Sequence, residues 1–363
     1  MASIAGGILS PLTSLFSFGD KGYLAIDIGS NSIKVLEVKG KGKGLRIINA
    51  GIAPLSSDAI QDNVVRSPAL VAEAIRTLIE DQGLKATNVL TVVPGPAVII
   101  KRANFPAQDQ KDLRETILFE AGNFIPESLD NVNLDYQVLD TGSQNNTIDV
   151  LLVAVRKDLI SSYTSAIEEA GLIPVVADVD YFALENMFET NYSPDPEETI
   201  ALINIGAHYS LVNVMKGNRS AFTGDVQFGG KHFTDMVAEA LSLSEEEAED
   251  AKINGVLEGY NSQDIERIVT TASDHLLDEI QHTLSFFGTG TADEQITAVY
   301  LSGGTAQLPS LASMISQRLS VPVEVSDPFR NLRVSGQHEE FIRSHAASFA
   351  ISAGLATRRP GDR

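Results

Sequence analysis

The stretch AIDIGSNSIK, residues 25–34, places one carboxylate, Asp27, at the end of an apolar run and a glycine, Gly29, two residues later. Glycine lets a backbone approach a ligand closely, and successive N–H groups in such a turn form a concavity suited to phosphate oxygens. The small polar side chains of residues 30–32 can add donors to phosphate. Asp27 is placed to reach a metal ion through a water molecule. Taken alone, the stretch also fits an ordinary tight hairpin turn.

A second stretch, ALINIGAHYSLVNVMKG at residues 201–217, repeats the first at a shift of 177 residues. The identical pairs are Ile26 and Ile203, Ile28 and Ile205, Gly29 and Gly206, Val35 and Val212, and Lys39-Gly40 and Lys216-Gly217. A repeat that opens each half of a chain indicates a duplication. Two more glycine pairs occur in FGGK (228–231) and SGGT (302–305). Together these turns favour two facing hairpins that hold a polyphosphate between two domains.

The elements around these turns alternate between strands and helices. Residues 23–28 and 32–38 predict a β-hairpin around the first turn, because both runs are short, apolar and β-branched. Pro68 and Gly83 mark the two ends of a predicted helix. Further predictions along the first half are a buried strand NVLTVVPG, a β-α-β-β unit over 96–156, a helix over 158–171, a strand IPVVADV and a helix YFALENMFE. SPDPEET (193–199) predicts a linker and a domain boundary.

The second half continues the alternation and predicts the rest of an α/β fold with a cleft between domains. Ser244 and Glu247 form a capping box, and the acidic run that follows is typical of a solvated helix face. The remaining predicted elements are a helix over 265–287, a strand over 298–304, a helix that opens at Pro309, and a closing helix over 339–357.

Composition excludes several classes of protein. The 363 residues are 43% hydrophobic, enough for two cores, and the net charge of −21 argues against nucleic-acid binding. The absence of cysteine excludes disulfides and thiolate chemistry, and no apolar run approaches the ~20 residues that cross a bilayer. Residues 1–19 are uncharged and lack the basic region of a signal peptide. We expect a loosely ordered tail there, with a short docking helix as the alternative.

The order DIGSNSIK, INIGAHYS, FGGKHFTD and YLSGGTAQLP resembles the nucleotide site of the actin-like and sugar-kinase ATPase superfamily. Within it the chain resembles the PilM family, actin-like cytoplasmic proteins of type IV pilus assembly that are related to FtsA. The likeness extends from residue 22 over nearly the whole chain. It is also carried by NFIPESLDNVNLDYQVL (123–139), AGLIPVVADVDYFALENMF (170–188) and HAASFAISAGLATR (345–358).

This resemblance implies an actin-like ATPase fold, with two RNase H-like domains around a nucleotide cleft. The β-α-β-β unit lies where PilM and FtsA carry a small extra subdomain, rather than where actin and MreB carry theirs. The expected parts are an N-terminal tail (1–21), domain I (22–95 and 157–195, with the closing helix 339–358 packed back on it), the extra subdomain (96–156), and domain II (196–338, with a helical insertion at about 239–296).

The resemblance also implies the site residues. A first phosphate loop would consist of Asp27, Gly29, Ser30, Asn31, Ser32 and Lys34, and a second of Asn204, Gly206, Ala207 and His208. Phosphate or ribose would lie near Gly229, Gly230 and Lys231, and the adenosine near Gly303, Gly304 and Thr305. Relatives place a water-orienting acid or amide in the region of Asp178 and Asp180, and of these we take Asp180 as the candidate catalytic residue.

One departure from the family pattern bears on the chemistry. The second loop usually offers an aspartate where this chain has Asn204. An amide can coordinate a metal ion or accept a hydrogen bond from water, but it adds no charge to Mg²⁺ and takes no proton. We therefore expect ATP or ADP to bind with Mg²⁺, held by Asp27 through water, and hydrolysis to be slow or absent.

The expected function is that of a cytoplasmic scaffold in the inner-membrane complex of type IV pilus assembly, and hence in motility. By resemblance, the extra subdomain and its neighbour hold the cytoplasmic N-terminal peptide of a PilN-like membrane protein. Pilus motor ATPases and self-association are further expected contacts. The protein would lie at the inner membrane through these partners, without a transmembrane segment of its own.

Two other functions compete with this one. IDIGSNS also matches the opening of exopolyphosphatases and pppGpp phosphatases, but their second loop is richer in glycine and acid than NIGAHYS. A small-molecule kinase belongs to the same alternative. An FtsA-like division protein would end in an amphipathic membrane helix, whereas this chain ends in the polar LATRRPGDR. Among the aromatics of the extra subdomain, we expect one or two to line a partner groove: Phe105, Phe119, Phe124 or Tyr136.

Overall fold

The structure is a computed structural model that describes residues 22–106, 110–140, 147–290, 295–334 and 338–362. The tail predicted over residues 1–21 and the polar turn TGSQNN (141–146) lie outside these ranges.

Strands and helices alternate along the chain, as the sequence predicts. The strands are β1 Tyr23–Ile28, β2 Ser32–Lys39, β3 Arg46–Pro54, β4 Ile60–Gln61, β5 Val64–Val65, β6 Asn88–Val93, β7 Val98–Pro106, β8 Val132–Asp140, β9 Thr147–Arg156, β10 Ile173–Val179, β11 Thr199–Ile205, β12 Ser210–Lys216, β13 Arg219–Val226, β14 Ala298–Ser302, β15 Val323–Val325 and β16 Arg333–Val334. The helices are α1 Pro68–Gln82, α2 Gln110–Glu120, α3 Lys157–Glu169, α4 Asp180–Tyr192, α5 Gly230–Leu241, α6 Glu245–Asn254, α7 Ser262–Gly290, α8 Leu311–Leu319, α9 Glu339–Ser344 and α10 Ala350–Leu355.

Two large mixed sheets share one topology. The first has the order β10-β6-β1-β2-β3-β16, and the second has the order β13-β12-β11-β14-β15. In each, the first three strands in sequence form an antiparallel meander, and the next two join in parallel beside the first strand. Only the first sheet has a further strand, β16, which pairs in parallel with β3. Leu24 and Ile26 in the first sheet and Ile203 in the second are completely buried, so burial of these apolar runs stabilises both sheets.

The two repeated hairpins have the same register. Asp27 lies opposite Lys34 in the first, and Asn204 lies opposite Leu211 in the second, which is the same pairing after a shift of 177 residues. The turns match as well, since the N–H of Gly29 donates to the carbonyl of Ser32 over 3.1 Å and that of Gly206 donates to Tyr209 over 3.1 Å. The prediction of two equal hairpins is confirmed.

A separate three-stranded sheet, in the order β7-β9-β8, packs against α2. Its small core includes the buried side chains of Phe105, Ile117 and Leu152. The order of elements is the predicted strand, helix, strand, strand. Tyr136 packs partly against this core, whereas Phe119 on α2 is 85% exposed and Phe124 is 37% exposed.

The closing segment differs from the single helix predicted over 339–357. It consists of α9, a 3₁₀ turn over Ala346–Phe349, and α10. The carbonyl of Ala347 accepts a hydrogen bond of 2.8 Å from the N–H of Gly303, which lies in the second domain's glycine turn. His345 also bonds back through Nδ1 to the carbonyl of Phe341 over 3.0 Å. The N–H of His345 keeps the regular bond to that carbonyl over 3.2 Å, so the bond from Gly303 is the long-range contact that accompanies the interruption.

The last helix packs closely on α4 beneath the first sheet. A Cβ atom at Gly354 would lie 1.6 Å from the carbonyl oxygen of Ala183, so only glycine allows this approach. At the other end of α4, the buried Asn191 donates to the carbonyl of Pro328 over 2.9 Å and accepts from the N–H of Asn331 over 2.9 Å. The chain returning from the second sheet is thereby fixed to α4.

Within the ranges that the structure describes, no helix combines the length and the apolar character needed to cross a membrane.

Candidate functional site

The first glycine turn carries an ion pair at its base. Lys34 Nζ lies 3.7 Å from Oδ2 of Asp27 and 3.4 Å from the carbonyl oxygen of Ser32. Burial raises the pKa of the Asp27 carboxyl, and the neighbouring ammonium of Lys34 counteracts that shift. A Cβ at Gly29 would meet Lys34 Nζ at 3.0 Å. The turn therefore brings a carboxylate, an ammonium and backbone groups close together, as predicted.

The two hairpin turns face each other and touch. Ser30 Oγ lies 2.7 Å from Nδ1 of His208, a contact between residues 178 positions apart in the chain. Burial lowers the pKa of His208, and the positive charge of Lys231 lowers it further. A neutral imidazole at this position can either donate to or accept from the serine hydroxyl.

The turn before α5 lies directly on the second hairpin turn. The N–H of Gly230 donates to the carbonyl of Gly206 over 2.9 Å, and the N–H of Lys231 donates to Ala207 over 2.8 Å. A Cβ at Gly229 would lie 2.6 Å from the carbonyl oxygen of Ala207, which explains the glycine. These bonds fix the N-terminus of α5 against the second hairpin turn.

The turn after β14 is the remaining glycine turn that contacts the second hairpin turn. Gly303 has a φ of +89°, and a Cβ there would meet the carbonyl oxygen of Ile205 at 2.3 Å. Thr305 Oγ1 donates to the carbonyl of Gly206 over 3.1 Å, and Gly304 follows Gly303 at the start of the same 3₁₀ turn. Gly206 is thus the point at which three glycine turns meet. Two residues before Gly206 in the chain, Asn204 accepts a hydrogen bond through Oδ1 from Ser302 Oγ over 3.0 Å, which fixes the orientation of its amide.

Two residues at this site were not among those predicted from the sequence, namely Glu249 and Lys252 on α6. Lys252 is 6% exposed, and its Nζ bonds to the carbonyl of Gly230 over 3.3 Å, to Thr234 Oγ1 over 3.1 Å and to Glu249 Oε2 over 2.6 Å. The acidic run was expected to be a solvated helix face, and Glu249 is an exception because Lys252 and Thr234 both bind its carboxylate. The available signal was a lone lysine three residues after Glu249.

The two aspartates before α4 have different partners. Asp180 is buried, with its Oδ1 accepting from the N–H of Gly95 over 2.8 Å and its Oδ2 accepting from the hydroxyl of Tyr209 over 3.1 Å. Burial raises the pKa of Asp180 to about 7, although these hydrogen bonds oppose the shift. Asp178 instead forms an ion pair of 3.0 Å with Arg358 Nε near the C-terminus. Asp180 is therefore the one that contacts the second hairpin turn.

The donor set limits what kind of metal site can form here. Among the described residues, no group of three or more His, Cys, Asp or Glu side chains is arranged to hold a metal ion. Asp27 offers one carboxylate and Asn204 one amide oxygen, both hard oxygen ligands. Such a set fits Mg²⁺ only if phosphate oxygens and water complete its octahedral shell, since Mg²⁺ usually keeps several waters.

A family model for type IV pilus assembly protein PilM matches residues 25–360. The chain belongs to the PilM family. A cell division protein FtsA from Streptococcus pneumoniae is 20% identical over 355 residues, which cover 84% of this chain and 75% of that protein. The family match favours the PilM assignment over both competing functions.

Similar solved structures agree on the fold. A structure described as a PilM-PilN type IV pilus biogenesis complex matches with a TM-score of 0.81 and 24% identity, covering 93% of this chain and 99% of that one. MreB 5 of Spiroplasma citri bound to AMPPNP matches with a TM-score of 0.51 and 10% identity, covering 92% and 94%. This PilM-family chain therefore has the actin-like ATPase fold, as the sequence predicted.

Proposed function

We propose that this protein binds ATP or ADP with Mg²⁺ between its two large sheets and serves as a scaffold in type IV pilus assembly. The observation that carries the proposal is the convergence of three glycine turns on Gly206, with a fourth turn touching them through Ser30 and His208. Glycine turns of this kind let the backbone approach phosphate closely. The similar MreB 5 structure was solved with AMPPNP, which supports the nucleotide assignment.

Each turn has a defined part in this proposal. Phosphate groups lie between the first loop (Asp27, Gly29, Ser30, Asn31, Ser32 and Lys34) and the second loop (Asn204, Gly206, Ala207 and His208). Gly229, Gly230 and Lys231 lie near phosphate or ribose, and Lys252 and Glu249 support this loop through the carbonyl of Gly230. Gly303, Gly304 and Thr305 support the adenosine. Mg²⁺ would neutralise phosphate charge, with Asp27 holding one of its waters.

The second loop and the position of Asp180 support slow hydrolysis. Oδ1 of Asp180 accepts from the N–H groups of Gly95 and Tyr181, and its Oδ2 accepts from the hydroxyl of Tyr209. Only Oδ2 retains an acceptor site that could orient an attacking water. Asn204 cannot take over as a base, because an amide does not accept a proton at neutral pH. The cleft is therefore better suited to holding nucleotide than to turning it over.

Nucleotide binding is tested by thermal unfolding in the presence of ATP and Mg²⁺. The transition midpoint should rise with ATP concentration, because a ligand that binds the folded state stabilises it by mass action. Asp27→Ala should reduce the shift, and the matched variant Asp62→Asn should retain it, because the Asp62 side chain is 92% exposed. A midpoint that is independent of ATP at millimolar concentration would argue against the proposal.

We also propose that the three-stranded unit holds the cytoplasmic N-terminal tail of a PilN-like membrane protein. The similar solved structure is a complex of PilM with PilN, and this pairing supports the choice of partner. Leu118, Phe119 and Phe124 expose apolar surface on this unit, at 46%, 85% and 37%. Nearby in the chain, a cavity of about 490 Å³ is lined by Glu127, Asp130, Asn131, Arg156, Lys157 and Asp158.

The charges around this cavity favour a tail with basic residues. Arg156 is paired with Asp158, and Lys157 Nζ donates to the backbone carbonyl of Asp130 over 2.8 Å, so the lining has three carboxylates and two cations. Glu127 and the carboxylate of Asp130 add negative charge to the rim. An apolar segment that carries Lys or Arg would find both an apolar surface and opposite charge here.

The partner proposal is tested by calorimetric titration of the N-terminal peptide of a PilN-like protein into the full chain. Phe119→Ser should weaken binding by about tenfold or more if the exposed ring is an anchor. Ile173→Ser is the matched control, because Ile173 is 56% exposed on a different sheet. Equal affinity for both variants would contradict the placement. Association with the inner membrane would follow from this partner, and contacts with motor ATPases and self-association remain part of the same proposal.

A further inference from the structure

A second exposed apolar surface lies at the junction of α6 and α7, far in sequence from the three-stranded unit. Ile253, Val256 and Tyr260 are 55%, 62% and 41% exposed. They fall within eight consecutive residues, from the last turn of α6 to the loop that precedes α7. We call these three residues the α6–α7 corner.

The corner is held in a fixed conformation. Gly255 ends α6 with a φ of +69° and donates its N–H to the carbonyl of Ala251 over 2.8 Å. The N–H of Tyr260 donates to the carbonyl of Leu257 over 3.1 Å and closes the next turn. A surface that is already ordered loses little conformational entropy when a partner binds.

The apolar side chains at the corner divide between the interior and the surface. Leu257 packs against a small core that contains the buried residues Ala248, Ala251 and Ile265. The preceding residue, Val256, is instead 62% exposed, and Ile253 is 55% exposed. Ile253 and Val256 therefore do not contribute to the core beneath them. Their exposed apolar surface is available to a partner.

The surroundings of the corner are strongly acidic. Between residues 244 and 267 the sequence has eight acidic residues and two basic ones. Lys252 is buried, and Arg267 is paired with Asp264 over 3.3 Å. Six of the acids are exposed, namely Glu245, Glu246, Glu247, Asp250, Glu258 and Glu266. Glu245 is paired with Lys231 over 3.4 Å, and the corner thus lies within a strongly acidic segment, whose exposed acids we call the acidic rim.

This charge distribution selects the kind of partner. Anionic lipid and nucleic acid would be repelled by the acidic rim. The same corner of a second copy would be repelled as well, because it carries the same acidic residues. We propose that the α6–α7 corner docks a protein segment that presents apolar side chains flanked by Lys or Arg. This surface is distinct from the cavity proposed for the PilN-like tail.

The test uses the full chain and a synthetic helical peptide with leucines on one face and lysines on the other. Fluorescence anisotropy of the labelled peptide measures its affinity without nucleotide. Val256→Glu should weaken binding about tenfold, because a carboxylate would be buried against apolar groups. Ile173→Glu is the matched control, since it adds the same charge at a similarly exposed site on another sheet, and it should leave the affinity unchanged.

This design separates docking from general attraction between opposite charges. If charge alone held the peptide, both glutamate variants would bind it equally well or more tightly than the parent chain, and the proposal would be overturned. A counterpart peptide with glutamine in place of leucine keeps the charge and should bind more weakly. Equal binding of the two peptides would also overturn the proposal. Tyr260→Ser gives a second variant of the corner and should weaken binding in the same direction as Val256→Glu.

Discussion

The hydroxyl of Tyr209 donates to Oδ2 of Asp180 over 3.1 Å and thereby joins the second glycine turn to the start of α4. Because α4 packs beneath the first sheet, this single bond connects groups that belong to different sheets. The carboxylate is also bound by Gly95, so it serves as a junction of three chain segments.

We expect this junction to make stability depend on pH. The pKa of Asp180 is raised by burial from 3.8 to about 7, so between these values the folded state keeps a proton that the unfolded state has released. The free energy of unfolding should therefore fall as pH rises from about 4 to about 7. Asp180→Asn removes this titration and should reduce the slope of the profile. Urea unfolding at about pH 5 and about pH 7 measures the difference.

Glu185 provides the control for that experiment. Burial raises its pKa to about 7, and the amide of Asn213 donates to it over 2.5 Å. Glu185→Gln should remove a part of the pH dependence without affecting the bond between Tyr209 and Asp180. The interpretation of Asp180 fails if Asp180→Asn retains the full slope of the parent chain.

A second prediction compares two glycines with positive φ. Gly303 has a φ of +89° and a Cβ there would lie 2.3 Å from a carbonyl oxygen, whereas Gly255 has a φ of +69° and open space around it. Gly255→Ala should cost about 1 kcal/mol of unfolding free energy through backbone strain alone. Gly303→Ala should cost clearly more, because the clash adds to the strain. Denaturant titration of both variants checks the order, and similar costs would contradict it.

A third prediction concerns the buried lysine on α6. Lys252→Met leaves the carbonyl of Gly230 and the carboxylate of Glu249 without this donor, and should lower the unfolding free energy by about 1–3 kcal/mol. If Lys252 also supports bound nucleotide, the variant should reduce the stabilisation by ATP and Mg²⁺. Thermal unfolding with and without nucleotide gives both effects. A double-mutant cycle with Glu249→Gln should show non-additivity, and strict additivity would mean that the two residues act separately.

A fourth prediction uses the position at which the second loop departs from its relatives. Asn204→Asp keeps the oxygen that accepts from Ser302 over 3.0 Å and adds a negative charge to the second loop. We expect the variant to bind ATP more weakly without Mg²⁺ and to depend more strongly on Mg²⁺, because the metal ion offsets the added charge. Titration of Mg²⁺ at fixed ATP measures this dependence. An unchanged Mg²⁺ requirement would place Asn204 away from the metal.

The sequence was sufficient to predict the hairpins and their turns, because short apolar, β-branched runs on either side of a glycine turn define a hairpin locally. The interruption of the closing helix could not be predicted in the same way, since it depends on the bond from Gly303 to Ala347, between residues far apart in the chain. The contact of Lys252 could not be predicted for the same reason, because its partner carbonyl at Gly230 is 22 positions away in the chain. The local period of a sequence carries no information about contacts between residues that are far apart in the chain.

The path of the chain has a consequence for biosynthesis. β16 adds to the edge of the first sheet and α10 packs beneath it, yet both are made after the entire second sheet. On the ribosome, the sheet that begins first is therefore completed last. A chain that stops before residue 333 should have an intact second sheet, whereas the underside of its first sheet should be exposed. Chaperones and proteases would therefore recognise such incomplete chains.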